Sequence, residues 1–97
     1  MNNFKKKKVE EFLNLAFKVK QELETYLSEK AKDDYIYKGV LQLIEEVKVD
    51  RYPPKPRDTD IGVAAVKIFD FELVKYLCHM VCKLSELYRK LPDKKTQ

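Results

Sequence analysis

The chain's 97 residues carry 20 Lys and Arg against 16 Asp and Glu, a net charge of +4, with 44% apolar residues and two cysteines. That length holds one core but not two. The composition is too apolar for a disordered chain and too poor in cysteine for a disulfide framework. With two glycines and four prolines there is little turn material for an all-β fold, so an all-α fold is expected.

The first element is a helix over about residues 4–31. Val9, Phe12, Ala16, Val19, Leu23 and Tyr26 recur at spacings of three and four, and Leu13 and Leu27 widen the stripe. Its opening is unusual. Lys5, Lys6, Lys7 and Lys8 stand where the helix dipole favours acids, so this end is expected to fray or to hold an anion. The lysines run into Glu10 and Glu11 rather than an apolar segment, so no secretory leader is expected.

Asp33 and Asp34 can cap a second helix over about 34–49. Ile36, Val40, Leu43, Ile44 and Val47 give it a clean apolar face. Gly39, inside it, costs up to about 1 kcal/mol relative to Ala and would let another backbone approach closely. Residues 50–59 then read Asp-Arg-Tyr-Pro-Pro-Lys-Pro-Arg-Asp-Thr. Three prolines in four positions exclude helix and favour an extended connection. Pro53 and Pro56 have the spacing of a proline-rich ligand, but a spanning linker explains them more simply.

A third helix is expected over about 60–91, capped by Asp58, Thr59 or Asp60 and ended by Pro92, with 92–97 as a tail. Val66, Phe69, Leu73, Leu77, Met80, Leu84, Leu87 and Leu91 keep a period near 3.6 across it. It could kink near Asp70. The competing reading makes 61–69 a strand, but such a strand has no partner in this chain. The expected architecture is thus a three-helix bundle.

On the helical wheel, a second apolar face of that third helix carries Phe71, Val74, Cys78, Val81 and Cys82. It points away from both the main stripe and the charged row that includes Lys75, His79 and Lys83. A helix apolar around most of its circumference is central to its bundle or covered by a partner. These five residues are therefore the candidate interface, pairing with a second copy of the chain in a two-fold homodimer or with another helical protein.

Chemistry finds less support. Cys78, His79 and Cys82 are zinc-type ligands, but His79 is the only histidine and no further cysteine completes a tetrahedron. Two buried thiols acting as small hydrophobes and a surface histidine explain them. Ser28 and Ser85 have no base in view, and no phosphate-cradling glycine loop occurs. No catalytic residue, cofactor, metal or small-molecule substrate is expected. A membrane span is excluded for the most apolar stretch, 61–84, which carries Lys67, Asp70, Glu72, Lys75 and Lys83. With two cysteines four apart and no disulfide framework, a reducing, cytoplasmic setting is expected.

In an up–down–up bundle the start of the first helix and the proline-rich connection share an end. That gathers the lysines at 5–8 with Arg51, Lys55 and Arg57, against Asp50, Asp58 and Asp60, beside Tyr52, which could stack on a base. The sequence therefore points first to a noncatalytic accessory protein acting through the apolar face of its last helix. The alternative is a nucleic-acid-binding accessory protein that uses this basic end.

Overall fold

The heptad-like stripe of the first segment does form a helix, α1 (Asn3–Leu27), with Phe12, Ala16, Val19 and Leu23 all fully buried. The computed structural model describes residues 3–49, 51, 59–68 and 75–92, and the side chains of all but Asn3, Phe4, Val66 and Ile68 among them. α1 stops at Leu27 rather than at 31. Ser28 takes a left-handed backbone (φ 56°), and a 3-10 helix spans Ser28–Asp33. Nothing in Ser-Glu-Lys-Ala-Lys signals a stop, which is why helix is expected through it. Tyr26, placed in the stripe by its spacing, is exposed at this end.

Asp34 caps α2 (Tyr35–Lys48): its carboxylate accepts the Tyr37 N–H at 3.0 Å. All five residues of the expected α2 face, Ile36, Val40, Leu43, Ile44 and Val47, are buried. α2 runs antiparallel to α1, and near their join the Tyr37 hydroxyl donates to Glu24 at 2.6 Å.

The long third helix is two helices. α3 (Ile61–Ile68) and α4 (Lys75–Arg89) pack against each other. Twenty residues along a continuous helix would set Gly62 and Cys82 about 30 Å apart. Instead the Cys82 Sγ lies 3.7 Å from the Gly62 carbonyl oxygen, and the Cys78 Sγ donates to the Ala65 carbonyl at 3.6 Å. α3 and α4 therefore run antiparallel, as the two arms of a hairpin. The expected kink at Asp70 falls on residues outside those described. The strand reading of 61–69 is overturned by the helix at Ile61–Ile68, and no strand occurs among the described residues.

Close contact fixes where α3 meets α2. A Cβ added to Gly39 would lie 2.7 Å from the Ile61 Cγ2, so the missing side chain makes room for a side chain of α3 rather than for a backbone. The Tyr35 hydroxyl donates to Asp60 at 2.6 Å just before α3, whose Ala64 N–H bonds the Asp60 carbonyl at 2.8 Å. The core is one cluster, with Phe12, Leu23, Ile36, Ile61, Leu77 and Leu84 among its largest members. No helix among the described residues is long and apolar enough to cross a membrane.

Candidate polyanion-binding end

Helix direction decides which charges meet. Because α3 and α4 form a hairpin, α4 runs back parallel to α2 and antiparallel to α1. The Tyr88 ring, in the last turn of α4, lies 6.0 Å from that of Phe12, and its hydroxyl donates to Glu46 near the end of α2 at 3.0 Å. The start of α1, the end of α2 and the end of α4 therefore share one end of the molecule. A single helix over 60–91 in an up–down–up bundle would have carried the last of these ends to the far side.

Four of the residues expected at the basic end are in place there, and one of those expected on its surface is not. Lys6 and Lys7 are exposed on the first turns of α1, and Lys8 stands 3.9 Å from Glu11. Arg51 is exposed just past α2, its backbone N–H held by the Glu46 carbonyl at 2.7 Å. Lys5 is a correction: at 6% exposure it faces inward. It falls on the same side of α1 as Phe12, seven residues on, so the apolar packing claims it. Tyr52, Lys55 and Arg57 lie outside the described residues.

Three cations at this end were missed: Lys48 in the last turn of α2, and Arg89 and Lys90 at the end of α4, all exposed. The hairpin brings Arg89 and Lys90 here, and no turn residue at 69–74 announces it. Arg89 is partly tied down, its guanidinium 3.4 Å from the Ser85 Oγ.

The candidate interface of the last helix fares differently. Cys78 and Val81 are fully buried, and Cys82 is half-buried against Gly62. The part of that face that carries Cys78 and Cys82 packs on α3, at Ala65 and Gly62. Cys78 and Val81 are thus core residues of this chain, not surface for a second copy. Phe71 and Val74 lie outside the described residues.

Elsewhere the polar groups pair with one another. Glu24 accepts from both the Lys20 ammonium at 2.8 Å and the Tyr37 hydroxyl. The Lys20 bond first, and then the Tyr37 bond, hold its pKa below the ordinary carboxylate value. The same contact raises Tyr37, and the bond to Asp60 raises Tyr35. A cleft of about 530 Å³ opens between α2, the start of α3 and Tyr88. Two hydrogen bonds span it, Tyr35 to Asp60 and Tyr88 to Glu46, and Gln42 bonds Glu46 along α2. His79 is exposed on α4. Among the described residues no group of three or more His, Cys, Asp or Glu is placed to hold a metal ion. Comparison with protein-family models, curated proteins and solved structures finds no match to this chain.

Proposed function

We propose that this chain is a noncatalytic accessory protein that works by holding a macromolecular partner, and that its basic end contacts a nucleic acid through phosphates. The observation that carries the reading is the α3–α4 hairpin. It uses the second apolar face of α4 inside the chain, and it turns the end of α4 toward Lys6, Lys7 and Arg51. Lysines in the first turn of α1, where no acid stands, oppose the helix dipole, so they do not serve the helix they sit on. A phosphate beside them would answer both their charge and the positive end of the helix dipole.

The test is a salt series with a fluorescent oligonucleotide. Binding that runs through phosphates weakens steeply as salt rises. Replacing Lys6, Lys7 and Lys8 with glutamine should weaken it for every sequence tried and flatten the salt dependence. Absence of binding at low salt would refute the reading.

A protein partner is the second reading, favoured by large apolar side chains on the surface. Val63 of α3 and Tyr76 of α4 are 59% and 53% exposed. They, rather than Cys78 and Val81, would serve self-association or contact with another helical protein. Sedimentation of the wild type against Val63→Asp with Tyr76→Asp separates the cases: an oligomer that dissociates without unfolding supports this reading, and a wild-type monomer removes the homodimer.

A further inference from the structure

Each helix that reaches the basic end has the same order of charges along its axis. On α1, Lys6 and Lys7 stand at the tip and Glu10 and Glu11 a turn behind. Around the end of α2, Lys48 and Arg51 stand at the tip and Glu45 and Glu46 behind, Glu46 already accepting from Gln42 and Tyr88. On α4, Arg89 and Lys90 follow Glu86. The end is a cationic cap with an acidic collar. Helix capping accounts for part of it: cations belong at the C-terminal ends of α2 and α4 and do not belong at the N-terminal end of α1. The cap is basic whichever way the helix beneath it runs, so its charge is a property of the molecule's end and not of each helix.

We infer that these three helix ends form a single site, Lys6, Lys7, Lys48, Arg51, Arg89 and Lys90, and that the partner it fits is a nucleic-acid duplex held by the phosphates of both strands. The inference rests on the polyanion reading above and adds α2 and α4 to it. α1 packs against both α2 and α4, with packed helix axes about 8–10 Å apart, and the Tyr88–Glu46 hydrogen bond links α4 to α2 at this end, so the three helix ends present a triangular array of cations. Phosphate backbones flanking a duplex groove are separated by about 6–12 Å, and such an array reaches both. A single strand offers one line of phosphates and would leave at least one helix end without a contact. With contacts to phosphates alone, binding carries little dependence on sequence.

The experiment is fluorescence anisotropy with a 20-base-pair DNA duplex, the same duplex with its sequence scrambled, and one of its strands alone, from 50 to 300 mM salt. Arg89→Gln with Lys90→Gln is compared with Lys6→Gln with Lys7→Gln, each checked by circular dichroism. Lys18→Gln with Lys83→Gln, exposed positions on the sides of the bundle, removes the same charge away from the cap. With a salt slope of about 0.9 per phosphate contact, each lost contact should cost about tenfold in affinity near 0.1 M salt and reduce the slope by about one. Both cap variants should lose affinity for either duplex alike, the side variant should hold, and the single strand should bind more weakly than the duplex. An α4 variant that binds as wild type while the α1 variant weakens would overturn the three-ended site and leave the polyanion reading standing. A single strand bound as tightly as the duplex would overturn the duplex assignment. Equal losses in the side variant would show attraction by net charge and overturn the site. Wild-type protein that binds none of the three probes would refute the polyanion reading itself.

Discussion

Gly39→Ala tests the packing of α3 on α2 at a single contact. On an exposed helix the substitution gains up to about 1 kcal/mol. Here the new methyl would lie 2.7 Å from the Ile61 Cγ2, about 1 Å inside the usual carbon–carbon separation. Ile61 is fully buried and its Cγ2 branches directly from Cβ, so it has little freedom to swing away. Overpacking of this kind costs about 1–3 kcal/mol, which outweighs the gain and leaves a net loss of up to about 2 kcal/mol. For a domain of this size that lowers the melting temperature by roughly 4–8 °C per kcal/mol. Ile61→Leu removes the offending branch at similar volume and by itself costs less than about 1.5 kcal/mol. In that background Gly39→Ala should stabilise, giving a coupling of about 1–3 kcal/mol in a double-mutant cycle read by urea denaturation. Gly39→Ala stabilising the wild type, with no coupling to position 61, would refute the placement of α3 against α2.

Val81→Glu, which puts a charge at a fully buried site, should unfold the domain, whereas Val63→Glu on the exposed side of α3 should melt within about 0.5 kcal/mol of wild type. A folded Val81→Glu protein would mean that Val81 does not stand in the core. Ser28→Gly relieves the left-handed backbone at φ 56° and should stabilise by about 1 kcal/mol in thermal unfolding, with Ser28→Val having the opposite effect. The pH dependence has two signs. Glu24, held below its ordinary 4.5, contributes stability above that value that is lost as pH falls through its lowered pKa. Tyr37 and Tyr35, raised above 10.0, contribute stability below that value that is lost as pH rises through their raised pKa. Tyr37→Phe should blunt both the acid and the alkaline loss, and unchanged pH profiles would rule out the Glu24–Tyr37 contact as their source.

How much of this was legible depends on which element is asked. α2 could be read outright, because Asp34 is a good cap and its apolar face repeats without a break. The boundary at Leu27 could not, since a serine in a left-handed conformation leaves no mark in a run of helix formers. The hairpin was hidden for a related reason. The apolar period of α3 and α4 continues in phase across Phe-Asp-Phe-Glu-Leu-Val at 69–74, where no glycine or proline interrupts it. Periodicity reports which side of a segment is apolar, not whether the axis turns, so two helices in phase read as one. The same error shaped both candidate surfaces. It leaves Cys78 and Val81 without an intramolecular neighbour, and a single helix gives no reason to count Arg89 and Lys90 with the basic end.

The cationic cap has an energetic signature that needs no ligand. Lys6 and Lys7 oppose the dipole of α1 at about 0.3–1 kcal/mol each at low ionic strength, and the cations of three adjacent helix ends repel one another. The collar offsets little of this on α1, because Lys6–Glu10 and Lys7–Glu11 place the cation N-terminal to the acid, the weaker order for such pairs. Glu86–Lys90 on α4 has the favourable order, so the attractions to the collar and the repulsions across the cap are screened together when salt is added. The Debye length contracts from about 30 Å at 0.01 M to about 8 Å at 0.15 M. If repulsion at the cap dominates, the wild type should gain on the order of 1 kcal/mol over that range, several degrees in melting temperature. Lys6→Gln with Lys7→Gln should start more stable at low salt and gain less. Sodium chloride keeps the change to screening, since chloride lacks the strong exclusion effect of sulfate. A melting temperature that is flat or falling with salt, or one that rises equally in the variant, would mean that the collar already neutralises the cap. The basic end would then have no unsatisfied charge to offer a phosphate.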